Sequence, residues 1–305
     1  MKKLTLLLAA FLLVLTTGCS LEPPSWAKPK TGGDLNDITI GLSISTLNNP
    51  FFVSLKDGVV AEANKHNMET IVVDAQNDSA KQSNDVDDLM QKGVDVLLIN
   101  PADSAAISTV VQSANTLGIP VITLDRSADQ GKVEALVASD NVKGGRMAAE
   151  YIEQLLGKDA KVIELEGTAG ASATRERGQG FHEVADESLN VVAKQTADFD
   201  RTKGLNVMEN LMQANPDVQA VFAHNDEMAL GAIEAIQSSG KDVPVIGFDG
   251  NEDALKSIEA GKLTATVAQQ PELIGQLAVQ AAYDVLQGKA VEQNIAAPLK
   301  LVTKE

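Results

Sequence analysis

Val94-Asp95-Val96-Leu97-Leu98-Ile99 places apolar, β-prone residues at four successive positions after its one aspartate. A strand with one face in water alternates apolar and polar residues. A run that stays apolar belongs to a strand covered on both faces, as in a parallel sheet. Upstream, residues 79–92 form an amphipathic stretch of helical length, and residues 107–117 form another downstream. The alternation continues in both directions. Ile38, Ile40, Leu42 and Ile44 mark a first strand, and further strand candidates fall at 70–74, 121–125, 161–166, 191–195, 218–223, 243–248 and 263–269. Helical stretches separate most of them, including one that Asn49-Pro50 opens with a cap and a proline at the first position, and another at 202–214. Phe52, Leu55, Val59 and Ala63 recur on one face of the helix after Pro50. Strand and helix at this spacing make an α/β protein with parallel sheets wound on both sides.

One interval breaks the rule. Between Asp125 and Asn141 there is room only for a turn at Gly131 and an extended run at 134–139. Two doubly wound halves joined by such a thin crossover read as two lobes with a cleft between them. Gln269-Gln270-Pro271 and the chain near Pro298 offer a second and a third crossing, so a three-crossing hinge is expected. The expected lobes are 37–139 plus 270–298, and 140–269 plus 299–305.

Ahead of the first lobe, Lys2 and Lys3 precede an apolar run from Leu4 to Leu15 and then Thr16-Thr17-Gly18-Cys19. A basic start, an apolar stretch short for a bilayer span and small residues before a cut site read as a signal peptide over 1–18. Its end on Cys19, the one cysteine of the chain, resembles a lipobox, with Thr16 where leucine is usual. The expectation is an extracytoplasmic protein, lipidated at Cys19 and held to the cell membrane. Residues 19–36, with Pro23, Pro24, Pro29, Gly32 and Gly33, then form a tether. The net charge of −17 over 305 residues argues against nucleic acid and against adsorption to anionic lipid by charge. A lone cysteine allows no intramolecular disulfide, so stability rests on packing.

In open α/β sheets ligands bind beyond the carboxyl ends of the strands. Those ends carry Asn49, Phe51 and Phe52, then Asn100, Asp125 and Arg126. Farther along come Phe199, Asn225, Asp249 and Gln269, with Arg175 and Arg177 in what reads as the loop after 161–166. Three of only seven phenylalanines gather there. Carboxylates beside guanidiniums match the donor and acceptor pairs of sugar hydroxyls, and phenylalanine faces suit the C–H faces of a sugar ring. Each residue also has a plainer role. Asn49 and Asn225 serve as helix caps, Asn100 and Asp125 as turn formers, Phe52 as core, and the arginines as solvated or ion-paired groups. An acid/base role for Asp125 and Asp249 in glycoside hydrolysis is a competing use of the same pair.

Seven segments carry a resemblance over the chain from Ile38 onward: Ser45-Thr46-Leu47-Asn48-Asn49-Pro50-Phe51-Phe52, Leu98-Ile99-Asn100-Pro101, Thr123-Leu124-Asp125-Arg126, Arg175-Glu176-Arg177-Gly178, Ala197-Asp198-Phe199-Asp200-Arg201, Asn225-Asp226-Glu227-Met228-Ala229 and Gly247-Phe248-Asp249-Gly250. Together they resemble the type I periplasmic-binding-protein family of bacterial ATP-binding-cassette (ABC) importers, in its D-ribose-binding branch. The resemblance implies two lobes with a sugar in the cleft and transfer to membrane permease subunits. It implies a monomer that binds but does not catalyse, without cofactor or metal. Asn49, Phe51, Phe52, Asn100, Asp125 and Arg126 would contact the sugar from the first lobe. Arg177, Phe199, Asn225, Asp249 and Gln269 would do so from the second lobe or its border, with Arg175 a neighbour. D-ribose is the implied ligand, and allose, galactose and xylose are the alternatives.

Other signals point nowhere further. His66, His182 and His224 lack zinc-ligand spacing, and Asp74–Asp78 lacks the calcium-loop alternation. Gly167-x-x-Gly170 and Gly178-x-Gly180 read as tight loops. Asp226-Glu227 reads as negative charge at a helix start, and Asp87-Asp88 as a solvated face. A transcription regulator of the same two-lobe shape would need a DNA-reading headpiece where this chain has the signal segment.

Overall fold

The computed structural model describes residues 37–304; the signal, Cys19 and tether readings lie outside the described residues. Strand β1 (Thr39–Ile44) pairs in parallel with β2 (Glu69–Asp74) on one side and β3 (Val96–Ile99) on the other. The unbroken apolar run Val96-Leu97-Leu98-Ile99 is this central strand β3. Its side chains divide by parity: Val96 and Leu98 enter one core, Leu97 and Ile99 the other. The first core is completed by α1 (Pro50–Lys65) and α9 (Pro271–Leu286), the second by α2 (Ser79–Gln91) and α3 (Ser108–Leu117). Burial on both faces is why the strand carries no polar alternation.

With β4 (Val121–Leu124), β5 (Ala135–Ser139) and β11 (Asn294–Ala297), the first sheet has the order β11-β5-β4-β3-β1-β2, all parallel. The second sheet repeats the pattern. It comprises β6 (Lys161–Glu166), β7 (Asn190–Thr196), β8 (Ala220–Ala223), β9 (Val245–Asp249), β10 (Ala265–Ala268) and β12 (Lys300–Thr303). Their order is β12-β10-β9-β8-β6-β7, with β12 alone antiparallel. Helices α4 (Asn141–Leu156) and α5 (Ser172–Ser188) cover one face. Helices α6 (Arg201–Ala214), α7 (Asp226–Ser238) and α8 (Glu252–Glu259) cover the other. Each sheet reverses its strand order once, between β1 and β3 and between β6 and β8, and such reversals open the crevices where ligands bind.

The chain passes between the two sheets three times: after β5 into α4, after β10 into α9, and from β11 to β12. Helix α1 starts as its sequence dictates, with the Asn49 Oδ1 accepting from the Phe51 amide at 2.9 Å and Pro50 first in the helix. Two local readings are corrected. Arg175 and Arg177 lie in the first turns of α5, not in a loop, and Gly178-x-Gly180 is helical too. Tertiary packing overrides the weak helix propensity of glycine here. A Cβ at Gly180 would run into the Val142 carbonyl of α4, and one at Gly145 into the Arg177 carbonyl, so the two helices touch backbone to backbone.

Candidate functional site

The strand ends of both sheets converge on a narrow cavity, with about 10 Å³ of free space, between the lobes. From the first lobe it is lined by Asn49, Phe51, Phe52, Asp125 and Arg126; from the second, by Ala173, Arg177, Phe199, Asn225 and Asp249. Nine of the eleven sequence-derived positions therefore meet on one cavity. The other two lie just behind it. Asn100 is buried, its Oδ1 accepting from the Ser45 amide and hydroxyl and its Nδ2 donating to the Leu124 carbonyl. Gln269 donates from Nε2 to Asp249 Oδ1 at 2.9 Å. Phe51 and Phe52 belong both to the first-lobe core and to the cavity wall, meeting edge to face at 5.2 Å.

The charges are buried and incompletely paired. Arg126 and Asp125 lie 3.6 Å apart at their nearest, and Arg177 and Asp249 3.8 Å, with all four side chains no more than 5% exposed. These are loose pairs, because each guanidinium is held elsewhere. Arg126 donates to the Pro101 carbonyl at 3.0 Å. Arg177 donates to the His224 carbonyl at 2.6 Å and to Asn141 Oδ1 at 2.9 Å. A guanidinium has five N–H groups, so both retain donors for a ligand. Asp125 Oδ1, Arg126 Nε and Gln269 Oε1 are buried without a hydrogen-bond partner in the protein. Such orphans mark where a polar ligand belongs. Burial pushes the Asp125 carboxyl up despite Arg126 and Arg177, and pushes Asp249 well up despite Arg177.

Backbone strain gathers at the same place. Asp125, Phe199 and Asp249 adopt φ of 62°, 60° and 124°, a region that side chains other than glycine rarely occupy. At Asp125 the Arg126 amide donates to the Leu124 carbonyl at 2.6 Å, closing a positive-φ γ-turn that turns the carboxylate and guanidinium into the cleft. The Phe199 ring lies over Gly167, where any Cβ would collide with it.

The lobes are closed on one another. The Ser104 amide donates to the Gly170 carbonyl at 2.9 Å, the Ser172 amide to the Ser104 hydroxyl at 3.1 Å, and the Ser127 amide to the Ser172 hydroxyl at 3.0 Å. Arg175 reaches Asp129 at 2.8 Å, an ion pair between lobes rather than a cavity contact. An outer vestibule of about 130 Å³ shares Asn49, Phe52, Arg126 and Phe199 with the inner cavity, so these four form its door. A larger groove of about 530 Å³ lies at the opposite ends of β4 and β5. Its lysines, Lys132 and Lys289, are already ion-paired, so it has none of this chemistry.

Several contributors carried no recognised signal: Ala173 in the wall, Asn141 behind Arg177, and Asp226 beneath Asp249. His182 and His224, far apart in the chain, both bond the buried Glu164 at 2.9 Å. Among the described residues no group of three or more His, Cys, Asp or Glu side chains could hold a metal ion, and no helix is long and apolar enough to cross a membrane.

Comparison with known proteins agrees with this geometry. The periplasmic binding protein domain matches residues 40–290. The chain is 68% identical over 305 residues, all of both chains, to the ribose import binding protein RbsB of Bacillus subtilis (strain 168). It is 56% identical over 269 residues to the protein of the same name from Escherichia coli (strain K12), covering 88% of this chain and 91% of that one. A solved ABC transporter solute-binding protein from Bacillus halodurans C-125, with bound myo-inositol, superposes with a TM-score of 0.84. That match has 35% identity and covers 89% of this chain and 96% of the other.

Proposed function

The chain belongs to the periplasmic binding protein family, and from that membership we propose that it captures D-ribose outside the cytoplasm and hands it to an ABC importer. It is a binding protein and not an enzyme, in keeping with relatives named as import binding proteins. The observation that carries the ribose reading is the cavity itself. Its wall brings polar and aromatic side chains of both lobes to face one another across the cleft, the lining a small polyol needs. Two arginine–aspartate pairs supply donors and acceptors for hydroxyls, and Phe51, Phe52 and Phe199 supply apolar faces.

In this reading all eleven named residues hold the sugar, nine directly and Asn100 and Gln269 from the edge. The lobes 37–139 plus 270–298 and 140–269 plus 299–305 move about the three crossings. Ligand favours closure because only the closed form brings both half-sites to it. The protein works as a monomer, delivers sugar to permease subunits, and is lipidated at Cys19, with 19–36 as its tether. A single acyl chain binds membrane marginally, so stable anchoring needs more than one. Mass spectrometry of the mature N-terminus tests the anchor; an unmodified terminus elsewhere than Cys19 removes it.

Calorimetric titration of the purified protein with D-ribose, beside D-allose, D-galactose and D-xylose, tests the ligand. Tight 1:1 binding with ribose foremost is expected. No heat at millimolar ribose would end the ribose reading, and a tighter sibling sugar would replace it.

A further inference from the structure

We propose that Asp226, which does not line the cavity, is the positioning residue of the second-lobe half-site: its one carboxylate ties together the ends of the three strands that lead to Asn225, Asp249 and Gln269. The inference deepens the binding reading above and rests on it for the ligand.

Strands β8, β9 and β10 are neighbours in the second sheet, and each delivers one of these residues at its carboxyl end. Asp226 follows Asn225 directly and is fully buried. Its Oδ2 accepts from the amides of Gly250 and Asn251, at 2.7 and 2.8 Å, in the turn that leaves β9. Its Oδ1 accepts from the Thr266 hydroxyl at 2.7 Å, on β10 and three residues before Gln269. The turn needs holding. Asp249 has φ of 124°, a region that a non-glycine residue keeps only where surrounding contacts over-determine it, and Gly250 follows at 79°, which glycine adopts freely. Gln269 then bonds Asp249 twice, from its own amide to the Asp249 carbonyl and from its side chain to Oδ1. Movement at the turn would therefore reach Asn225, Asp249 and Gln269 together.

Helix capping does not account for this carboxylate. Asn225 already caps α7, its Oδ1 accepting from the Met228 amide at 3.0 Å. Glu227 supplies first-turn negative charge while paired with Arg201 nearer the surface. Burial pushes the Asp226 carboxyl up to about 7 against its three hydrogen bonds, so the fold keeps a costly group there. Room for it is made on purpose: a Cβ at Gly247 would strike its Oδ1.

The test uses the full chain, with D-ribose calorimetry and amide hydrogen exchange of the ligand-free protein. D226A is expected to weaken ribose binding about 30-fold and to speed exchange at Gly250 and Asn251, since buried donors lose their acceptor. D226N, whose amide oxygen still accepts from both N–H groups, recovers most of the affinity and protection. T266V removes only the third bond; it weakens binding about threefold to tenfold and carries the test should D226A not fold. Wild-type affinity in D226A or T266V, or unchanged exchange at Gly250 and Asn251 in D226A, would overturn the assignment. The exchange readout needs no sugar, so failure of the wild type to bind ribose counts against the proposed ligand alone.

Discussion

The Arg126 guanidinium, carried by the first lobe, stands 5.2 Å from the centre of the Phe199 ring on the second. Phe52 flanks the same guanidinium at 5.0 Å from within the first lobe. The cation is thus a filling between aromatic faces that meet only when the cleft is shut. Arg177 mirrors it, lying 3.8 Å from the Phe248 ring centre and 5.8 Å from that of Phe199. Desolvated cation–π contacts are worth about 2 kcal/mol or more, so closure and ligand capture draw on the same contacts.

Arg126→Ala is expected to weaken D-ribose binding about 100-fold. It strands the Asp125 carboxylate and the ligand hydroxyls that the guanidinium would serve. Arg126→Lys recovers little, because an ammonium neither stacks as a plane nor spans two acceptors. Calorimetry decides, and affinity within threefold of wild type in either variant would remove Arg126 from the site.

Closure itself can be probed away from the sugar. A Cβ at Gly170 would overlap the Asp103 carboxylate across the cleft, beside the Ser104–Gly170 hydrogen bond. Gly170→Ala therefore penalises the closed form and leaves the open form untouched. An about tenfold faster ribose dissociation is expected, with association nearly unchanged, as read by stopped-flow fluorescence. A change confined to association would contradict it.

How much of this was legible in the sequence follows from what each residue's neighbours are. The two-faced strands were readable because Val96-Leu97-Leu98-Ile99 must satisfy two cores at once, and composition records that directly. The site was readable as polar and aromatic residues at strand ends, sharpened by the resemblance, because β–α loops are local features. The helical setting of Arg177 was not. Gly180 argues against a helix unless one knows that α4 lies against α5 there with no space for a side chain. Asp226 was hidden for a similar reason: next to Glu227 it reads as a helix start, and only the third dimension brings Gly250, Asn251 and Thr266 to it.

The Glu164 network gives the lobe a pH signature. Burial pushes Glu164 up, but hydrogen bonds from His182 and His224 outweigh it and bring its carboxyl down to about 2. The Glu164 hydrogen bond raises His182 to about 9, against desolvation and with help from Asp186. The depressed carboxyl stabilises the fold above its unfolded value of 4.5, and that stability is lost as pH falls towards about 2. The raised imidazole stabilises fully below 6.5, and that part is lost as pH rises to about 9. The network is therefore at full strength between about pH 4.5 and 6.5. The Tm difference between wild type and His182→Gln should be largest there and shrink towards pH 9. Scanning calorimetry across this range checks it, and a pH-independent difference would show that His182 is not charged in the fold.

Ribose affinity should fall on acidification sooner than exposed carboxylates would dictate. Burial raises Asp125 and Asp249 above the ordinary range, with Arg126 and Arg177 only partly restoring the charged form, and Asp226 adding repulsion to Asp249. Sugar hydroxyls donate to ionised carboxylates, so ligand and proton compete for the same oxygens, and bound sugar favours the charged state. Affinity is then highest where both carboxylates are ionised and declines as pH drops through their raised values. Asp125→Asn removes one of the two titrations, so its profile is flatter though its affinity is lower throughout. Titrations across the neutral and acidic range separate the cases, because an exposed aspartate, with pKa near 4, would leave affinity level until the pH approached that value. A flat wild-type profile would mean that these carboxylates do not accept from the sugar.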